Sequence, residues 1–298
     1  MEFWLTCGMI PVEQLVPIAQ AADRLGYDGI CLPDHLVFPE TIQSAYPYAE
    51  DGSAWWQPDT PWPDPITSMA AMATATTRLK FSTNVFVLPV RGLWETAKAM
   101  STLACLAPGR INLGVGAGWM REEFELTGSQ FDRRGARMEE MIEILRRVWR
   151  GGMVEHHGEF YDFAPVQMSP VPPAPIPIWI GGDSPYAYRR AARIGDGWIG
   201  IGYTEDQVWT ALDALNSARI DAIAKDPSLR DKPFEKLVAV YARPTAELLR
   251  SLTSQGVTGY LTAPWFASKR DMSSIDAKIA SMEFYADKVM NVLKDETS

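Results

Sequence analysis

The sequence contains little cysteine and no long run of apolar residues. Its three cysteines, Cys7, Cys31 and Cys105, lie far apart and include no CxxC pair, which argues against a disulfide framework and against a cysteine zinc site. No stretch approaches the ~20 apolar residues that a membrane span needs, and the sequence does not open with a basic segment followed by an apolar run and a cleavage site. We therefore expect a cytoplasmic protein with reduced cysteines and no membrane segment.

Basic residues are also scarce relative to acidic ones. The formal net charge is −9 at pH 7 and the isoelectric point is near 5.0, which argues against nucleic acid as a partner because its phosphates require clustered positive charge. The chain has no HExxH or clustered histidine and carboxylate spacing typical of a catalytic metal, and no GxSxG elbow typical of a serine hydrolase. These observations argue against a nucleic-acid partner, a catalytic metal and a serine hydrolase.

The chain does contain a regular alternation of short apolar strands and amphipathic helices. It has 298 residues, of which 47% are hydrophobic, enough to bury a large core in a single domain over residues 1–298. Strict strand-helix alternation is typical of a parallel sheet, and eight such units favour an α/β fold closed into a (β/α)8 TIM barrel; an open six-stranded Rossmann-type sheet is the alternative. The strands are expected at residues 3–7, 29–33, 79–88, 110–115, 176–180, 198–201, 237–241 and 257–262, and the last helix at residues 275–293.

Two insertions are much longer than the other connections. Residues 34–64 follow the second strand, and residues 151–175 precede the fifth, where the sequence predicts a short hairpin or arm outside the barrel. The first insertion starts at the C-terminal end of a strand, where barrel active sites are built, so its aromatic residues form either a plug or a lid over a bulky apolar substrate. These aromatic residues are Phe38, Tyr46, Tyr48, Trp55, Trp56 and Trp62, of which Trp55, Trp56 and Trp62 are the candidate substrate-binding residues.

Two glycine-rich segments follow strands. Residues 114–119 read GVGAGW, a weak dinucleotide fingerprint because Trp119 stands in place of the third glycine; a flat ligand approaching the backbone at Gly116 and Gly118 explains the segment better. Residues 181–184 read GGDS and open a helix, where backbone N–H groups and a hydroxyl can bind a cofactor phosphate. The candidates there are Gly181, Gly182 and Ser184, and the alternative is an ordinary helix cap by Asp183 or Ser184.

Only three histidines are present, and one follows a strand. His156 and His157 are adjacent, point in different directions, and receive no role. His35 follows residues 32–34 at the C-terminal end of the second strand, where it could exchange a proton near neutral pH with Asp34 orienting it. A buried histidine with a purely structural role is the alternative.

Several segments together resemble the luciferase-like monooxygenase superfamily. They are residues 109–119 (GRINLGVGAGW) followed by 122–124 (EEF) and 134–135 (RG), residues 172–182 (PPAPIPIWIGG) continuing into 189–198 (RRAARIGDGW), and the shorter segments 32–35 (LPDH) and 88–91 (LPVR). The resemblance covers roughly residues 1–200. Each segment alone is unspecific, but their combination is specific.

The resemblance implies a (β/α)8 barrel, commonly a homodimer, that binds FMN or coenzyme F420 at the C-terminal ends of its strands. The Asp34-His35 pair, the segment at residues 62–65 and the Trp119 position look most like the F420-dependent branch, in which the matching histidine lies by the deazaflavin ring. The resemblance also implies a cis peptide bond between Asn84 and Val85, where the backbone bulges toward the ring. Some members carry a catalytic glutamate where this chain has Trp119, a departure that leaves the second acid unassigned.

The leading functional hypothesis is hydride transfer between F420 and an apolar organic substrate, with His35 exchanging the proton. A deazaflavin carries carbon where FMN can bind oxygen, so it serves mainly as a hydride carrier. One alternative is an FMN-dependent monooxygenase. The other is a non-catalytic flavin-binding barrel.

Overall fold

A computed structural model describes residues 1–49, 51–267 and 273–291. The strands of this part are β1 (Glu2–Thr6), β2 (Gly29–Leu32), β3 (Lys80–Thr83), β4 (Phe86–Val87), β5 (Leu113–Gly116), β6 (Val154–His157), β7 (Asp162–Val166), β8 (Ile178–Gly181), β9 (Gly197–Tyr203), β10 (Glu235–Val240) and β11 (Gly259–Thr262). Its α-helices are α1 (Val12–Leu25), α2 (Pro65–Thr74), α3 (Leu93–Leu106), α4 (Arg121–Leu126), α5 (Arg134–Val148), α6 (Pro185–Ile194), α7 (Glu205–Lys225), α8 (Ala246–Ser254) and α9 (Ile275–Tyr285).

One parallel sheet forms the barrel. Its strand order is β3-β2-β1-β11-β10-β9-β8-β5-β4, and a parallel bridge between Phe81 and Ile111 joins the two ends of the sheet. Because β3 and β4 are the two halves of the predicted third strand, the nine strands make the eight staves of a (β/α)8 barrel. The predicted fold and both insertions are confirmed, and the open Rossmann-type alternative is wrong.

Two apolar layers hold the barrel together. Strands such as β8 are buried along their whole length, because one face meets the barrel interior and the other meets the helices. Inside the barrel, the rings of Trp4 and Trp179 meet edge to face with their centroids 5.4 Å apart. Full burial of one large apolar side chain contributes about 1.5–3 kcal/mol. The other buried members of this inner layer are Cys31, Ile199, Leu237 and Leu261.

The second insertion contains the predicted hairpin, in which β6 and β7 pair antiparallel. Glu140 on α5 binds it by accepting hydrogen bonds from the backbone N–H groups of Glu159, Phe160 and Tyr161. His156 lies at the same contact, with Nε2 3.1 Å from Glu140 Oε1. The hairpin is therefore docked on the outside of the barrel.

The structure differs from the sequence-based expectation in two elements. The short helix α4 was not predicted, because six residues are too few to show a helical period. The last helix ends at Tyr285 and continues as a π-helical turn over Ala286–Asn291; the predicted end of this helix, residue 293, lies outside the described residues. In the part of the chain that the structure describes, no helix is both long and apolar enough to cross a membrane.

Candidate active site

The predicted site residues follow the C-terminal ends of neighbouring staves. His35 follows β2, Asn84 follows β3, Trp119 follows β5 and Gly182 follows β8. Since all these strands are parallel, their C-terminal ends meet at one mouth of the barrel. The long connection between β2 and α2 spans residues 33–64 and covers this mouth; we refer to it as the aromatic loop.

His35 lies in a pocket of aromatic rings. Its side chain is 9% exposed, and its ring centroid is 5.0 Å from that of Trp56, 4.8 Å from Trp62 and 5.7 Å from Trp119. Tyr46 extends the group, with its ring 5.2 Å from both Trp56 and Trp119. The structure therefore brings together predicted catalytic and substrate-binding residues that are far apart in sequence. We call the group of His35, Tyr46, Trp56, Trp62 and Trp119 the aromatic cage.

The carboxylate that contacts His35 is Glu123, not Asp34 as the sequence suggested. His35 Nδ1 lies 3.2 Å from Oε1 of Glu123, and the same oxygen accepts a hydrogen bond from the backbone N–H of Leu36 at 2.7 Å. Glu123 is 2% exposed. Glu123 lies on α4, a helix that was not predicted. The sequence signal that could have indicated it is the acidic pair Glu122-Glu123, shortly after the glycine-rich segment 114–119.

Asp34 is occupied elsewhere. One of its oxygens pairs with the guanidinium of Arg91, and the other accepts a hydrogen bond of 3.0 Å from the backbone N–H of Val87. Burial raises the pKa of Asp34, and the charge of Glu123 adds to this, while Arg91 and the Val87 N–H act in the opposite direction. The side chain thus ties the start of the aromatic loop to the third stave. Its predicted catalytic role stays a prediction, and the predicted orienting contact with His35 is corrected.

The tryptophans of the aromatic loop differ in their surroundings. Trp56 is 5% exposed and belongs to the aromatic cage, whereas Trp55 is 58% exposed and touches Trp56 only through an edge-to-face contact at 6.2 Å. Trp62 lies in the cage beside His35. All three were predicted to bind substrate, but only Trp56 and Trp62 line the space next to His35.

Val85 explains two of the predicted cofactor glycines. The Asn84–Val85 peptide bond is cis, as expected, and the Val85 side chain lies between two neighbouring staves. A Cβ on Gly116 would lie 2.5 Å from Val85 Cγ2, and a Cβ on Gly181 would lie 2.5 Å from Val85 Cγ1. The space above both glycines is therefore taken by Val85, so any flat ligand would meet the face of Val85 rather than the glycine backbone.

The other two glycines, Gly118 and Gly182, have backbone conformations that favour glycine. Gly118 has φ +84°, and a Cβ there would also lie 2.6 Å from Val87 Cγ1. Gly182 has φ +110°, and its carbonyl accepts a hydrogen bond of 3.1 Å from the Trp198 indole. Both sit in the left-handed region that favours glycine. They shape the loops at the mouth, whatever binds there.

Ser184 caps α6. Its hydroxyl oxygen accepts a hydrogen bond of 3.2 Å from the backbone N–H of Ala187, the alternative foreseen from the sequence. A cap does not exclude anion binding, because the hydroxyl hydrogen can still be donated. Its role at a phosphate stays a prediction.

An acidic and phenolic group adjoins this loop. The hydroxyl of Tyr203 donates a hydrogen bond to Asp183. Burial raises the pKa of Asp183 despite that hydrogen bond, and burial together with the charge of Asp183 raises the pKa of Tyr188 to about 12. The phenols nearby therefore stay protonated at neutral pH and can serve as hydrogen-bond donors.

Several buried polar atoms near the mouth have no hydrogen-bond partner among the described residues. They include the side-chain carbonyl oxygen of Asn84, the indole nitrogen of Trp62 and Nε of Arg91. Unsatisfied buried polar groups are costly, typically about 1–3 kcal/mol each. The Asn84 acceptor and the Trp62 donor, beside an apolar platform, fit a flat heterocycle that carries polar edges, as flavins and deazaflavins do.

A surface groove lies away from the mouth of the barrel. It measures about 880 Å3 and lies on the outer surface along α5 and the hairpin, lined by residues such as Glu140, Arg147 and His156. It includes none of the strand-end residues. Among the described residues, no group of three or more histidine, cysteine, aspartate or glutamate side chains could hold a metal ion.

Comparisons with known proteins show the family to which the chain belongs. The profile of a family described as luciferase-like monooxygenase matches residues 4–272. An uncharacterized protein of Mycobacterium tuberculosis is 36% identical over 293 residues, which cover 97% of this chain and 99% of that protein. An F420-dependent glucose-6-phosphate dehydrogenase of Mycobacterium avium is 32% identical over 227 residues, covering 72% of this chain and 62% of the relative.

Solved structures share the fold at low sequence identity. The monooxygenase RslO1 of Streptomyces bottropensis superposes with a TM-score of 0.73 at 17% identity, covering 98% of this chain and 99% of its own. The coenzyme F420-dependent tetrahydromethanopterin reductase of Methanopyrus kandleri superposes with a TM-score of 0.71 at 12% identity and the same coverage. At such identities these two structures support the barrel architecture alone.

Proposed function

The chain belongs to the luciferase-like monooxygenase family, and from this premise we propose that it is a coenzyme F420-dependent oxidoreductase acting on an apolar organic substrate. The observation that carries the proposal is the aromatic cage, in which the titratable side chain of His35 lies among apolar rings at the mouth of the barrel. F420 is favoured over FMN by the F420-dependent relative, which is 32% identical to this chain.

The residues at the mouth fit such a cofactor. Val85 offers an apolar platform, the unpaired oxygen of Asn84 offers an acceptor, and Gly182 with Ser184 would receive the phosphate at the start of α6. When bound, the deazaflavin supplies two-electron hydride chemistry.

His35 would hold the proton that accompanies the hydride. A histidine titrates near neutral pH, so it can take a proton from a substrate hydroxyl in one direction and return it in the other. Its Nδ1 faces Glu123, so Nε2 is the atom that would face the substrate. The cage residues Trp56, Trp62 and Trp119 would bind the apolar part of the substrate and exclude water from this proton transfer.

The substrate is proposed to lack phosphate. Trp119, one of the rings beside His35, adds apolar surface where a sugar phosphate would need polar partners. The nearby cation Arg91 is already paired with Asp34, and its second nitrogen lies 3.6 Å from Asp64. We also propose that the protein works as a homodimer, as the family resemblance implies.

Binding and turnover together test this proposal. The purified protein should be titrated with F420 and, separately, with FMN, following cofactor fluorescence at two salt concentrations, because the charged tail of F420 adds a salt-sensitive contribution. We expect tighter binding of F420, and reduction of bound F420 by apolar alcohols that fails in His35→Asn. Tighter FMN binding with oxygen consumption would assign a monooxygenase, and binding without turnover over a broad substrate panel would assign a non-catalytic barrel.

A further inference from the structure

Glu123 makes a contact that links helix α4 to the histidine of the cage. Its Oε1 lies 3.2 Å from His35 Nδ1 and 2.7 Å from the backbone nitrogen of Leu36. An ionised carboxylate can only accept hydrogen bonds. A carboxylate oxygen in this position therefore favours the tautomer of His35 that carries its hydrogen on Nδ1.

We propose that Glu123 is the positioning residue of the site: it orients the His35 ring and holds the proton on Nδ1, which leaves the lone pair on Nε2. This inference rests on the proposed function only where it assigns Nε2 to proton exchange with the substrate. The orientation itself follows from the contacts of Glu123 with His35 and Leu36.

The surroundings make Glu123 suited to this role. It is buried, and one of its oxygens binds both the ring and the backbone of the next residue, so the ring and the local chain are fixed together. Asp34 cannot substitute for it, because its two oxygens are engaged by Arg91 and the Val87 N–H. A carboxylate facing Nδ1 also stabilises the imidazolium that forms when Nε2 takes up a proton.

The small number of histidines makes the tautomer of His35 directly measurable. Labelling the full-length protein with 15N-histidine gives only three ring systems, from His35, His156 and His157, and His35→Asn assigns the signal of the cage. We expect His35 to carry its hydrogen on Nδ1 in the unmodified protein. His156 and His157, which contact Glu140 and Asp162 instead, serve as internal references.

Two substitutions separate the parts of the proposed role. Glu123→Leu removes both hydrogen bonds, so the His35 signal should split between the two tautomers and kcat should fall by ~10²-fold or more, with KM changed by only a few-fold. Glu123→Gln keeps an acceptor oxygen but loses the charge. It should retain the Nδ1 tautomer, move the resonance of the Nδ1 proton upfield and lower kcat by roughly 10-fold.

Glu125→Gln is the matched control, because Glu125 lies on the same helix with an exposed side chain. It should leave both the His35 signal and turnover unchanged. An unaltered His35 signal together with unaltered turnover in folded Glu123→Leu would overturn the proposal. If Glu123→Leu does not fold, the Glu123→Gln variant is the test. An unshifted Nδ1 proton resonance together with full activity in that variant would reject the proposal.

The tautomer measurement also distinguishes this inference from the proposed function. It needs neither F420 nor a substrate, so a protein that prefers FMN could still show the His35 tautomer set by Glu123. Conversely, an F420 enzyme with His35 signals insensitive to Glu123 would keep the proposed function and lose this inference.

Discussion

At the scale of single residues, His35 depends on neighbours from three separate segments. Trp56 and Trp62 come from the aromatic loop, Trp119 follows β5, and Glu123 comes from α4. The ring has an ionic partner on one side and apolar faces around it, a combination suited to proton exchange in a site shielded from water.

Replacing His35 should impair turnover without removing the cofactor. We expect His35→Asn to lower kcat by about 10²-fold or more, because a positioned acid or base contributes 10²–10⁴-fold, with the cofactor Kd changed by only a few-fold. Steady-state kinetics and a fluorescence titration measure both quantities. His157→Asn, on the exposed hairpin, is the control, and normal turnover in His35→Asn would remove His35 from the mechanism.

The packing of Val85 against two glycines gives a test by stability. Gly116→Ala should lower the free energy of unfolding by about 1–3 kcal/mol. The new methyl group would overlap Val85 Cγ2. In a chain that also carries Val85→Ala the space is free, so the two substitutions should offset each other. Urea unfolding of the two single variants and the double variant gives the coupling energy; purely additive effects would show that Val85 does not occupy this space.

At the scale of elements, the short helix α4 anchors the aromatic loop at two points. Glu123 binds His35 and Leu36, and Glu122 accepts hydrogen bonds from the backbone N–H groups of Gln43 and Ser44 at 2.6 and 3.1 Å. The hydroxyl of Ser44 donates a third hydrogen bond of 2.8 Å to Glu122. The first half of the loop is therefore attached to the connection that follows β5, and Tyr46 enters the cage directly after the second anchor.

The contribution of Glu122 should depend on pH. Partial burial raises its pKa, but the hydrogen bonds from its own backbone N–H, Gln43 and Ser44 outweigh burial, so the net shift of the pKa is downward. A lowered pKa means that the stabilisation is present above the ordinary glutamate pKa of ~4.3 and is lost as the pH falls through the lower value of the folded protein.

Hydrogen exchange at Gln43 and Ser44 measures this effect. After correction for the intrinsic rate, protection in the unmodified protein should decrease as the pH falls below the ordinary glutamate pKa of ~4.3. In Glu122→Leu, which removes both acceptor oxygens, protection should already be low at pH 6 and should change less with pH. Equal pH profiles in the two proteins would show that Glu122 does not anchor the loop.

The two adjacent tryptophans of the aromatic loop should behave differently. Trp56→Leu should raise KM for bulky apolar substrates more than for small polar ones, because it removes a ring that packs 5.0 Å from His35. Trp55→Leu should have little effect on either class, since Trp55 is largely exposed. Kinetics with a matched pair of substrates separate the outcomes; equal changes in both variants would make the loop a plug rather than a wall of the substrate site.

At the scale of the whole molecule, the barrel is a closed scaffold that presents the candidate site residues at one mouth. The apolar layers inside the barrel and under the helices provide the stability, whereas buried polar atoms of Asn84, Trp62 and Arg91 near the mouth have no partner among the described residues. Such an arrangement is typical of a site whose polar groups are completed by a ligand.

Cofactor binding should therefore stabilise the fold as a whole. A ligand at 100 times its Kd adds about 2.7 kcal/mol, which corresponds to roughly 4 °C in Tm for a domain of this size. We expect F420 to produce this increase at lower concentrations than FMN, and Asn84→Ala to reduce it, because that variant lacks the unpaired oxygen at the mouth. A larger increase with FMN, or equal increases for Asn84→Ala and the unmodified protein, would contradict this expectation.

The sequence by itself determined the architecture and the location of the site. Strand and helix periods are local properties, so eight strand-helix units could be recognised and a closed parallel barrel inferred from their number. His35, Trp119 and Gly182 were proposed because each lies shortly after a predicted strand, and Asn84 because the family resemblance implies a cis peptide bond there. Parallel strands bring their C-terminal ends to the same side of the sheet, which makes that position informative without coordinates.

Only the tertiary structure decided which groups touch. Glu123 lies 88 residues from His35 along the chain, and no local pattern could favour it over the adjacent Asp34. Likewise, the glycines at 116 and 181 looked like approaches for a ligand, whereas they accommodate the side chain of Val85. Contacts of this kind depend on how staves and loops are placed around the closed barrel, a long-range property that periodicity and motif spacing do not encode.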